Sequence, residues 1–272
     1  MRIIYSVESF YRYIFARPMF YKFNKLLFNL SIKGLGILNF ENNKVSGEKY
    51  LINKFLPKLL DKDNPILFDV GANIGNYTNS LLLRFPNAQV HSFEPHPNNY
   101  SRLCNRTKNG NVKFYNIALG DNKKSQILYD ISNTRGSAKA SLYEKVISEI
   151  HKQDVVKFNV QVETLDEIAD KEGIRYIDFL KIDAEGNELS VLKGAFNLLK
   201  SGSIGCIHFE FNEMNIVSRV FFRDFRLILN RYEFYRLLPS GLILLSETPL
   251  STELFAFQNI IAIPKTKKFM GS

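Results

Sequence analysis

The chain has 272 residues, 45% of them hydrophobic, which is enough to build the core of one large α/β domain. Its formal net charge of +9 could indicate a nucleic-acid partner, but the lysines are dispersed and no aromatic-plus-basic recognition motif is present, so we expect no nucleic-acid binding. Its two cysteines lack the spacing of a disulfide framework, and we expect a reducing, cytoplasmic location.

Residues 1–62 are predicted to form a helical N-terminal extension that ends in an amphipathic helix from Ser46 to Leu60. Five cations, many aromatic residues and no acid stand between Ser9 and Phe40, without an apolar run long enough to span a bilayer. We expect a pair of helices packed on the domain. The alternative is weak contact with anionic lipid at the inner face of a membrane.

The strongest signal is a strand followed by a glycine turn. The predicted strand Ile66–Val70 contains Asp69, and Gly71 and Gly75 lead into a helix from about Ile74 to Arg84. Such a turn can present backbone amides to a small cofactor. The spacing of the glycines is neither that of a phosphate-binding P-loop nor that of the dinucleotide fingerprint. Because the acid would repel a pyrophosphate, it favours a ligand with an ammonium group, such as S-adenosylmethionine.

The next predicted strand, Gln89–Phe93, ends at Glu94, whose carboxylate can accept both hydroxyls of a ribose. Asp69 alone would be an ordinary turn acid and Glu94 alone a solvated strand end, but together they favour a binding site. Ligands of open α/β sheets lie beyond the carboxyl ends of the strands. The residues predicted to bind the cofactor are Asp69, Gly71, Ala72, Asn73, Gly75, Asn76, Tyr77, Thr78, Glu94, Asn116, Ala118, Leu119 and Asp183.

Predicted strands and helices alternate through the rest of a domain at residues 63–264, and residues 265–272 form a basic tail. An insertion at about residues 121–163 is expected to pair two strands as a β-ribbon around a small, polar, mobile loop. The last strands are expected to close the sheet with an antiparallel hairpin at its C-terminal edge. Before the insertion we predict a helix from its cap at Asn98 to Lys108 with a stop at Asn109-Gly110, a strand Val112–Ile117 and an exit loop Ala118–Gly120. The ribbon strands are Ser125–Tyr129 and Val155–Val162, around the loop Asn133–Leu142. After the insertion we predict a capping box Thr164–Glu167, a strand Ile177–Ile182, a helix Glu188–Leu199, a strand Ile204–Phe211, a helix Val220–Asn230, and strands Glu233–Leu238, Leu242–Ser246 and Asn259–Ile263.

Five short motifs make the chain similar to a known family. These motifs are Asp69–Gly75, Phe93–Pro97, Ala118–Gly120, Thr164–Asp166 and Lys181–Gly186. With them, the sequence resembles the FkbM family of S-adenosylmethionine-dependent methyltransferases over roughly residues 65–215. The motifs occur in the order that the family has them, and together they are far more specific than the glycine turn alone.

The resemblance implies an α/β, Rossmann-like class I methyltransferase fold with a mostly parallel sheet, S-adenosyl-L-methionine as cofactor, and O-methyl transfer. It also implies a sugar hydroxyl as acceptor, on a small molecule, a glycan or a nucleotide sugar of polysaccharide or glycoconjugate biosynthesis. Two alternatives stay open. One is O-methylation of a macrolide-like or lipid natural product, and the other is a non-catalytic cofactor-binding scaffold in a biosynthetic complex.

Methylation of an alcohol needs a base near the reacting oxygen. The candidates are Asp183, Glu185, His208 and Glu210, which lie on or just after strands whose ends should face the acceptor. Glu185 could instead cap the following helix, and His208 could be a core histidine. Asp178 and Asp183 lie five positions apart on one predicted strand and therefore point to opposite faces, so we expect no metal site.

Overall fold

The computed structural model describes residues 2–108, 110–134 and 136–267. Strands in this part of the chain form a large mixed sheet and a small second sheet. In chain order the strands are β1 (Ile66–Val70), β2 (Gln89–Phe93), β3 (Asn111–Tyr115), β4 (Ala118–Leu119), β5 (Lys124–Ile131), β6 (Val155–Glu163), β7 (Phe179–Ile182), β8 (Ile207–Phe211), β9 (Tyr232–Leu238), β10 (Gly241–Leu244) and β11 (Gln258–Pro264).

Helices precede the first strand and connect most of the later ones. They are α1 (Arg2–Phe15), α2 (Tyr21–Gly34), α3 (Glu48–Tyr50), α4 (Leu56–Leu60), α5 (Asn76–Arg84), α6 (Pro97–Arg106), α7 (Leu165–Lys171), α8 (Glu188–Lys193), α9 (Phe196–Ser201), α10 (Met214–Ser218), α11 (Phe222–Ile228) and α12 (Pro249–Thr252), with a 3₁₀ turn at Pro18–Phe20 and π-helical turns at Leu51–Phe55 and Val146–Ile150.

The large sheet has the strand order β10-β9-β11-β8-β7-β1-β2-β3. The strands from β8 to β3 are parallel to one another. In contrast, β11 is antiparallel to both β8 and β9, and β9 forms a hairpin with β10. This confirms the Rossmann-like fold and the antiparallel closure that the sequence predicts. The chain leaves β1 on one side for β2 and returns on the other side as β7, so a ligand crevice is expected at their carboxyl ends.

Alternate residues of the central strands enter two separate cores, one on each face of the large sheet. Phe68 of β1 packs with α8 and α11 on one face, whereas Leu67 packs with α4 and α5 on the other. The two-residue period of a strand causes this division. Because both faces are covered, β1 is apolar at every position except Asp69, as expected of a buried parallel strand, whereas β8 also carries His208 and Glu210.

The insertion forms the predicted ribbon, since β5 pairs with β6 in antiparallel register from Lys124 to Ile131. Ala118 and Leu119, expected in a loop, instead form β4, which pairs with β6 in parallel. The ribbon side chain Val162 packs on Ala118 in a small apolar cluster of its own. The insertion is therefore held against the carboxyl edge of the large sheet.

Two of the helix boundaries that differ from the prediction have identifiable causes, one local and the other a contact with a distant segment. His96, and not Asn98, caps α6, because its Nδ1 accepts a hydrogen bond from the amide of Asn98 and Pro97 follows it. The helix predicted from Glu188 breaks into α8 and α9 at Gly194, where a β-carbon would lie 2.0 Å from the carbonyl oxygen of Gly120. Close approach of another backbone thus ends the helix. The predicted stop of α6 includes Asn109, which lies outside the described residues.

The helix predicted from Ser46 begins at Glu48 and continues through the π-helical turn into α4. Leu51, Phe55 and Leu56 on its apolar face are buried against β1 and α5, as its amphipathic pattern predicts. The capping box at Thr164 is also confirmed. Of the predicted basic tail, residues 265–267 form a turn and residues 268–272 lie outside the described part.

The first two helices form a hairpin whose turn is held by aromatic contacts. The ring of Phe15 lies 5.0 Å from that of Phe20 and 5.4 Å from that of Phe23. None of residues 6–35 is buried, so the expectation that this pair of helices packs on the domain was wrong. In the described part of the chain, no helix has both the length and the apolar composition that a membrane span requires.

We predict that Phe209→Ala lowers the free energy of unfolding by about 3–5 kcal/mol. Phe209 is fully buried in β8 and stacks on Phe225 at 4.5 Å between ring centroids, so its loss leaves a cavity. Chemical denaturation measures the change. Phe196→Ala is the matched control, because Phe196 is 60% exposed. An equal effect of both substitutions would contradict this account of the core.

Candidate functional site

The turn between β1 and α5 is built on residues with left-handed backbone conformations. Gly71, Asn73 and Gly75 have φ angles of +78°, +50° and +87°. A β-carbon on Gly71 would lie 1.8 Å from the carbonyl oxygen of Asp183, whose own amide donates to the carbonyl of Val70 at 3.0 Å. Gly71 is therefore required for the contact between the exits of β1 and β7.

Amides of this turn bond to the end of β2 and do not face a ligand. The amides of Gly71 and Ala72 donate to the carbonyl of Phe93 at 3.0 and 2.9 Å, and the amide of Asn73 donates to Glu94 Oε2 at 2.8 Å. These three amides are therefore engaged within the protein, and that of Asn73 helps to fix the position of the Glu94 side chain. Contact between the cofactor and the amides at the start of α5 stays a prediction.

Glu94 lies where the sequence places it, at the tip of β2. Its side chain is 5% exposed, and its Oε1 accepts the amide of His96 at 2.8 Å. Burial raises the pKa of Glu94 to about 7, although the amides of His96 and Asn73 act in the opposite direction. Each carboxylate oxygen keeps a lone pair for a further donor.

A cleft opens beside Glu94, and we call it the main cleft. One wall consists of residues that follow the strands of the large sheet, namely Phe93, Ile117, Ala118 and Leu119. The facing wall belongs to the insertion, with Leu128, Ser137, Ala138, Ala140 and Leu142. Gly71, Asn73, Asp183, Glu185 and Asn187 also line it. The lining thus combines apolar side chains with the acids Glu94, Asp183 and Glu185.

The loop that the sequence marks as mobile is tied across this cleft. The amide of Ser137 donates to Asp130 at 2.9 Å, and the carbonyl of Ser137 accepts from Asn99 at 2.8 Å. Ser141 Oγ donates to the carbonyl of Glu185 at 2.7 Å. Burial would raise the pKa of Asp130, but hydrogen bonds from His96 and Ser137 outweigh it and lower this pKa to about 2. Arg135 of this loop lies outside the described residues.

A buried lysine lies beside the acids of the cleft. Lys181 is 4% exposed, and its Nζ lies 3.1 Å from Asp183 Oδ2 and 3.6 Å from Asp69 Oδ1. Burial acts to lower the pKa of Lys181, but the carboxylates of Asp183, Asp69 and Glu48 outweigh it and raise this pKa. Lys181 is therefore charged, and it compensates acids on two neighbouring strands.

This pairing gives Asp69 a role that the sequence analysis did not foresee. Asp69 is fully buried, lies directly opposite Lys181 in the register of β1 and β7, and accepts a hydrogen bond from Thr78 Oγ1 at 2.6 Å. Its carboxylate is engaged inside the protein and lines neither cavity of the site. The predicted contact with a ligand's ammonium group is therefore not direct.

The remaining candidate acids converge on Asp183, whose side chain is 30% exposed. Glu185 reaches the cleft from a left-handed position, with φ of +49°, and its enclosed Oε2 has no hydrogen-bond partner in the described part of the chain. Burial, together with the charge of Asp183, raises the pKa of both Glu185 and Glu210 well above its usual range. A cation that enters the cleft would relieve this excess of negative charge.

His208 is held in the core by two hydrogen bonds. Its Nδ1 lies 3.1 Å from the hydroxyl of Tyr77, and its Nε2 lies 2.9 Å from Asn259 Oδ1. Burial lowers the pKa of His208 to about 4, so the ring is neutral near pH 7. Both ring nitrogens are thus occupied in joining β8 to α5 and β11, which is the structural role that the sequence left open for this histidine.

A second cavity, the side groove, adjoins the main cleft at Gly71, Asn73 and Asp183, which line both. Its other walls come from the segment before β1 and from α5, and they include Asn43, Glu48, Lys49, Asn53, Asn76, Tyr77, Ser80 and Lys181. Glu48 and Lys181 were missed by the sequence analysis. A lysine within an otherwise apolar strand was the available signal for Lys181, because a buried ammonium group needs a counterion.

The predicted cofactor residues divide into three groups. Those that line the main cleft are Gly71, Asn73, Glu94, Ala118, Leu119 and Asp183. Those that line only the side groove are Ala72, Asn76 and Tyr77. Those that line neither cavity are Asp69, Gly75, Thr78 and Asn116; the Asn116 side chain donates to the carbonyl of Glu94 at 2.8 Å. Of the candidate bases, Asp183 and Glu185 line the main cleft, and Glu210 and His208 do not.

Comparison with known proteins identifies a family. The model of the FkbM methyltransferase domain matches residues 69–235. Methyltransferase sdnD of Sordaria araneosa is 30% identical, over 48% of this chain and 60% of that protein. The 2-O-methyltransferase NoeI of Sinorhizobium fredii is 27% identical, over 53% and 62% respectively. The hexuronic acid methyltransferase AglP of Haloferax volcanii is 28% identical, over 57% and 59%.

The chain thus matches about three fifths of the length of these curated relatives. Among solved structures, the FkbM methyltransferase of Methylobacillus flagellatus aligns with a TM-score of 0.47 and 17% identity, over 78% of this chain and 47% of that one. Within the described residues, no group of three or more His, Cys, Asp or Glu side chains has an arrangement that could hold a metal ion. The independence from metal stays a prediction.

We predict that Lys181→Met destabilises the fold by about 3–5 kcal/mol, because it leaves the buried carboxylate of Asp69 without its counterion. Adding Asp69→Asn should recover part of the loss. Denaturant unfolding of the single and double variants measures both effects, with the exposed Lys171→Met as control. A fully stable Lys181→Met variant would show that the buried ion pair contributes nothing.

Proposed function

Because the chain belongs to the FkbM methyltransferase family, we propose that it is an S-adenosylmethionine-dependent O-methyltransferase that acts on a sugar hydroxyl. The observation that carries this proposal is the lining of the main cleft, which combines the buried carboxylate of Glu94, apolar side chains and the acids Asp183 and Glu185. S-adenosylmethionine likewise combines a nucleoside with a positively charged sulfonium and ammonium group. S-adenosylmethionine would supply an electrophilic methyl group there.

The apolar side chains of the cleft, together with Glu94, suit an adenosine. Glu94 would accept the two ribose hydroxyls through the lone pairs that the amides of Asn73 and His96 leave free. The side chains of Ile117 and Leu119 would cover one face of the base, and Leu142 of the insertion would approach from the other side. These contacts are apolar, so they bury no further polar group that would need a hydrogen-bond partner.

The acids around Asp183 suit the positively charged end of the same molecule. Asp183, Glu185 and Glu210 lie near one another, and the Lys181 ammonium is shared between Asp183 and Asp69. The local charge is therefore negative when the carboxyl groups are ionised. A sulfonium and an ammonium placed there would be attracted and would lower the raised pKa values of Glu185 and Glu210.

Methyl transfer to an alcohol needs alignment and removal of one proton. Gly71, Asn73 and Asp183 at the junction of the two cavities would hold the donor and the acceptor in line, which supplies much of the rate. The hydroxyl oxygen would form a bond to carbon as the carbon–sulfur bond breaks, and its proton would pass to a carboxylate. Asp183 and Glu185 are the candidates that reach the cleft.

The side groove suits a sugar. Its walls carry the amide side chains of Asn43, Asn53 and Asn76 and the hydroxyl of Ser80, groups that both donate to and accept from hydroxyls. Two of the relatives are named as a 2-O-methyltransferase and a hexuronic acid methyltransferase. We therefore propose a glycosyl acceptor, either as a free sugar, in a glycan or as a nucleotide sugar.

Isothermal titration with S-adenosylhomocysteine, followed by methyl-transfer assays on nucleotide sugars, separates this enzyme from a cofactor-binding scaffold. A scaffold would bind S-adenosylhomocysteine but would not transfer a methyl group.

Glu94 should make cofactor affinity depend on pH. With its pKa at about 7 in the free protein, Glu94 becomes protonated as the pH falls through this value, so the affinity for S-adenosylhomocysteine should weaken on acidification. Glu94→Ala should bind about 1.5–3 kcal/mol more weakly above this pH and lose the dependence. Titration calorimetry measures both, with the exposed acid variant Glu149→Ala as control. Wild-type affinity in Glu94→Ala would refute the ribose assignment.

Replacing the general base with its amide should lower turnover at saturating cofactor on the order of 10²–10⁴-fold. We expect this of Asp183→Asn or Glu185→Gln before Glu210→Gln, because the first two line the main cleft. His208→Asn should affect stability more than turnover, because both ring nitrogens are hydrogen-bonded in the core. Near-full turnover of all three folded acid variants would place the base elsewhere.

A chelator tests the expectation that no metal is needed. Loss of wild-type activity on chelation, restored by magnesium, would overturn this expectation.

A further inference from the structure

The hairpin of α1 and α2 exposes an apolar surface that the domain does not cover. Phe10 is 65% exposed, and Phe23, Leu26 and Leu30, which recur at helical spacing along α2, are 43%, 54% and 60% exposed. No residue of α2 is buried. A stripe of this kind on a helix normally faces a core, a partner or a lipid.

The hairpin is joined to the domain by the segment that follows it. The amide of Leu38 donates to the carbonyl of Phe257 at 2.8 Å, and the ring of Phe40 meets that of Phe257 edge to face at 5.9 Å. Ile37 and Asn39 in this segment are buried. The attachment fixes the base of the hairpin and leaves its helices beside the domain.

The charge of the hairpin indicates what covers it. Residues 2–40 contain six basic residues and one acid, Glu8. Some of the cations lie against exposed aromatic rings, with the Arg17 guanidinium 5.8 Å from the centroid of Tyr13 and Lys25 Nζ 6.0 Å from that of Tyr21. A second copy of the same surface would bring like charges together, whereas an anionic lipid surface complements them. Aromatic rings beside cations are also typical of helices at the membrane interface.

We propose that the α1–α2 hairpin binds the surface of an anionic membrane, with its apolar stripe in the headgroup region and its cations on the lipid phosphates. Each helix has 14 residues, or about 21 Å, which is shorter than the hydrocarbon core of about 30 Å, and Pro18 stands between them. The hairpin therefore lies on the membrane and does not cross it.

Flotation of the full chain with liposomes tests this proposal. The protein should float with vesicles of phosphatidylglycerol and phosphatidylcholine, should stay behind with phosphatidylcholine alone, and should be released by high salt. The triple variant Arg12→Gln, Lys22→Gln, Lys25→Gln should lower the partition coefficient on the order of 100-fold. The variant Phe10→Ser, Leu26→Ser, Leu30→Ser should lose binding as well, and both sets lie on exposed positions, so folding is preserved.

The matched control is the triple variant Lys123→Gln, Lys171→Gln, Lys200→Gln, which removes the same charge at exposed positions outside the hairpin. This variant should bind vesicles as the wild type does. An equal loss of vesicle binding in the control would show that binding depends on net charge alone and would overturn the assignment to the hairpin. Absence of flotation, combined with a dimer in solution that the serine variant converts to a monomer, would instead show that a second copy covers the stripe. Release by detergent alone would contradict surface binding.

Discussion

The buried ammonium group of Lys181 holds the carboxyl ends of β1 and β7 together, because it lies between Asp69 on one strand and Asp183 after the other. A charge at this depth is tolerable only with its counterions in place, and two carboxylates so close are tolerable only with the cation. The close contact between Gly71 and the Asp183 carbonyl joins the same two strand ends. The shape of the glycine turn, and through it the position of Glu94, therefore depends on the ion pairs that Lys181 forms between the ends of the two strands.

The insertion completes the site from the opposite side. Asp130 on β5 lies 3.3 Å from Nε2 of His96 and accepts a hydrogen bond from the amide of Ser137, and Ser141 Oγ donates to the carbonyl of Glu185. These contacts tie the insertion to residues on the other side of the main cleft. A ligand in the cleft would thus be enclosed by residues far apart in sequence, whose positions are set by buried polar groups and not by the sheet alone.

Much of this architecture follows from local sequence, and the remainder depends on contacts between distant segments. The bounds of β1 and β2 agree with the prediction, because β1 is an apolar run that stops at the glycine turn and β2 stops before Glu94-Pro95. In contrast, β4 exists only because Val162 and Glu163 lie beside Ala118 and Leu119, and the helix break at Gly194 exists only because Gly120 approaches it. The role of Lys181 required the register that places it opposite Asp69. Periodicity likewise predicted helices in the N-terminal segment but could not show which surface their apolar faces meet.

A structure of the protein with S-adenosylhomocysteine bound would test the assignment of the two cavities. We expect both ribose hydroxyls within hydrogen-bonding distance of Glu94, the adenine between Leu119 and the insertion, and the sulfur atom directed towards Asp183 and Glu185. The side groove should stay open beside the sulfur for the acceptor. A ribose away from Glu94, or an adenine in the side groove, would contradict the assignment of the two cavities and the proposed chemistry with it.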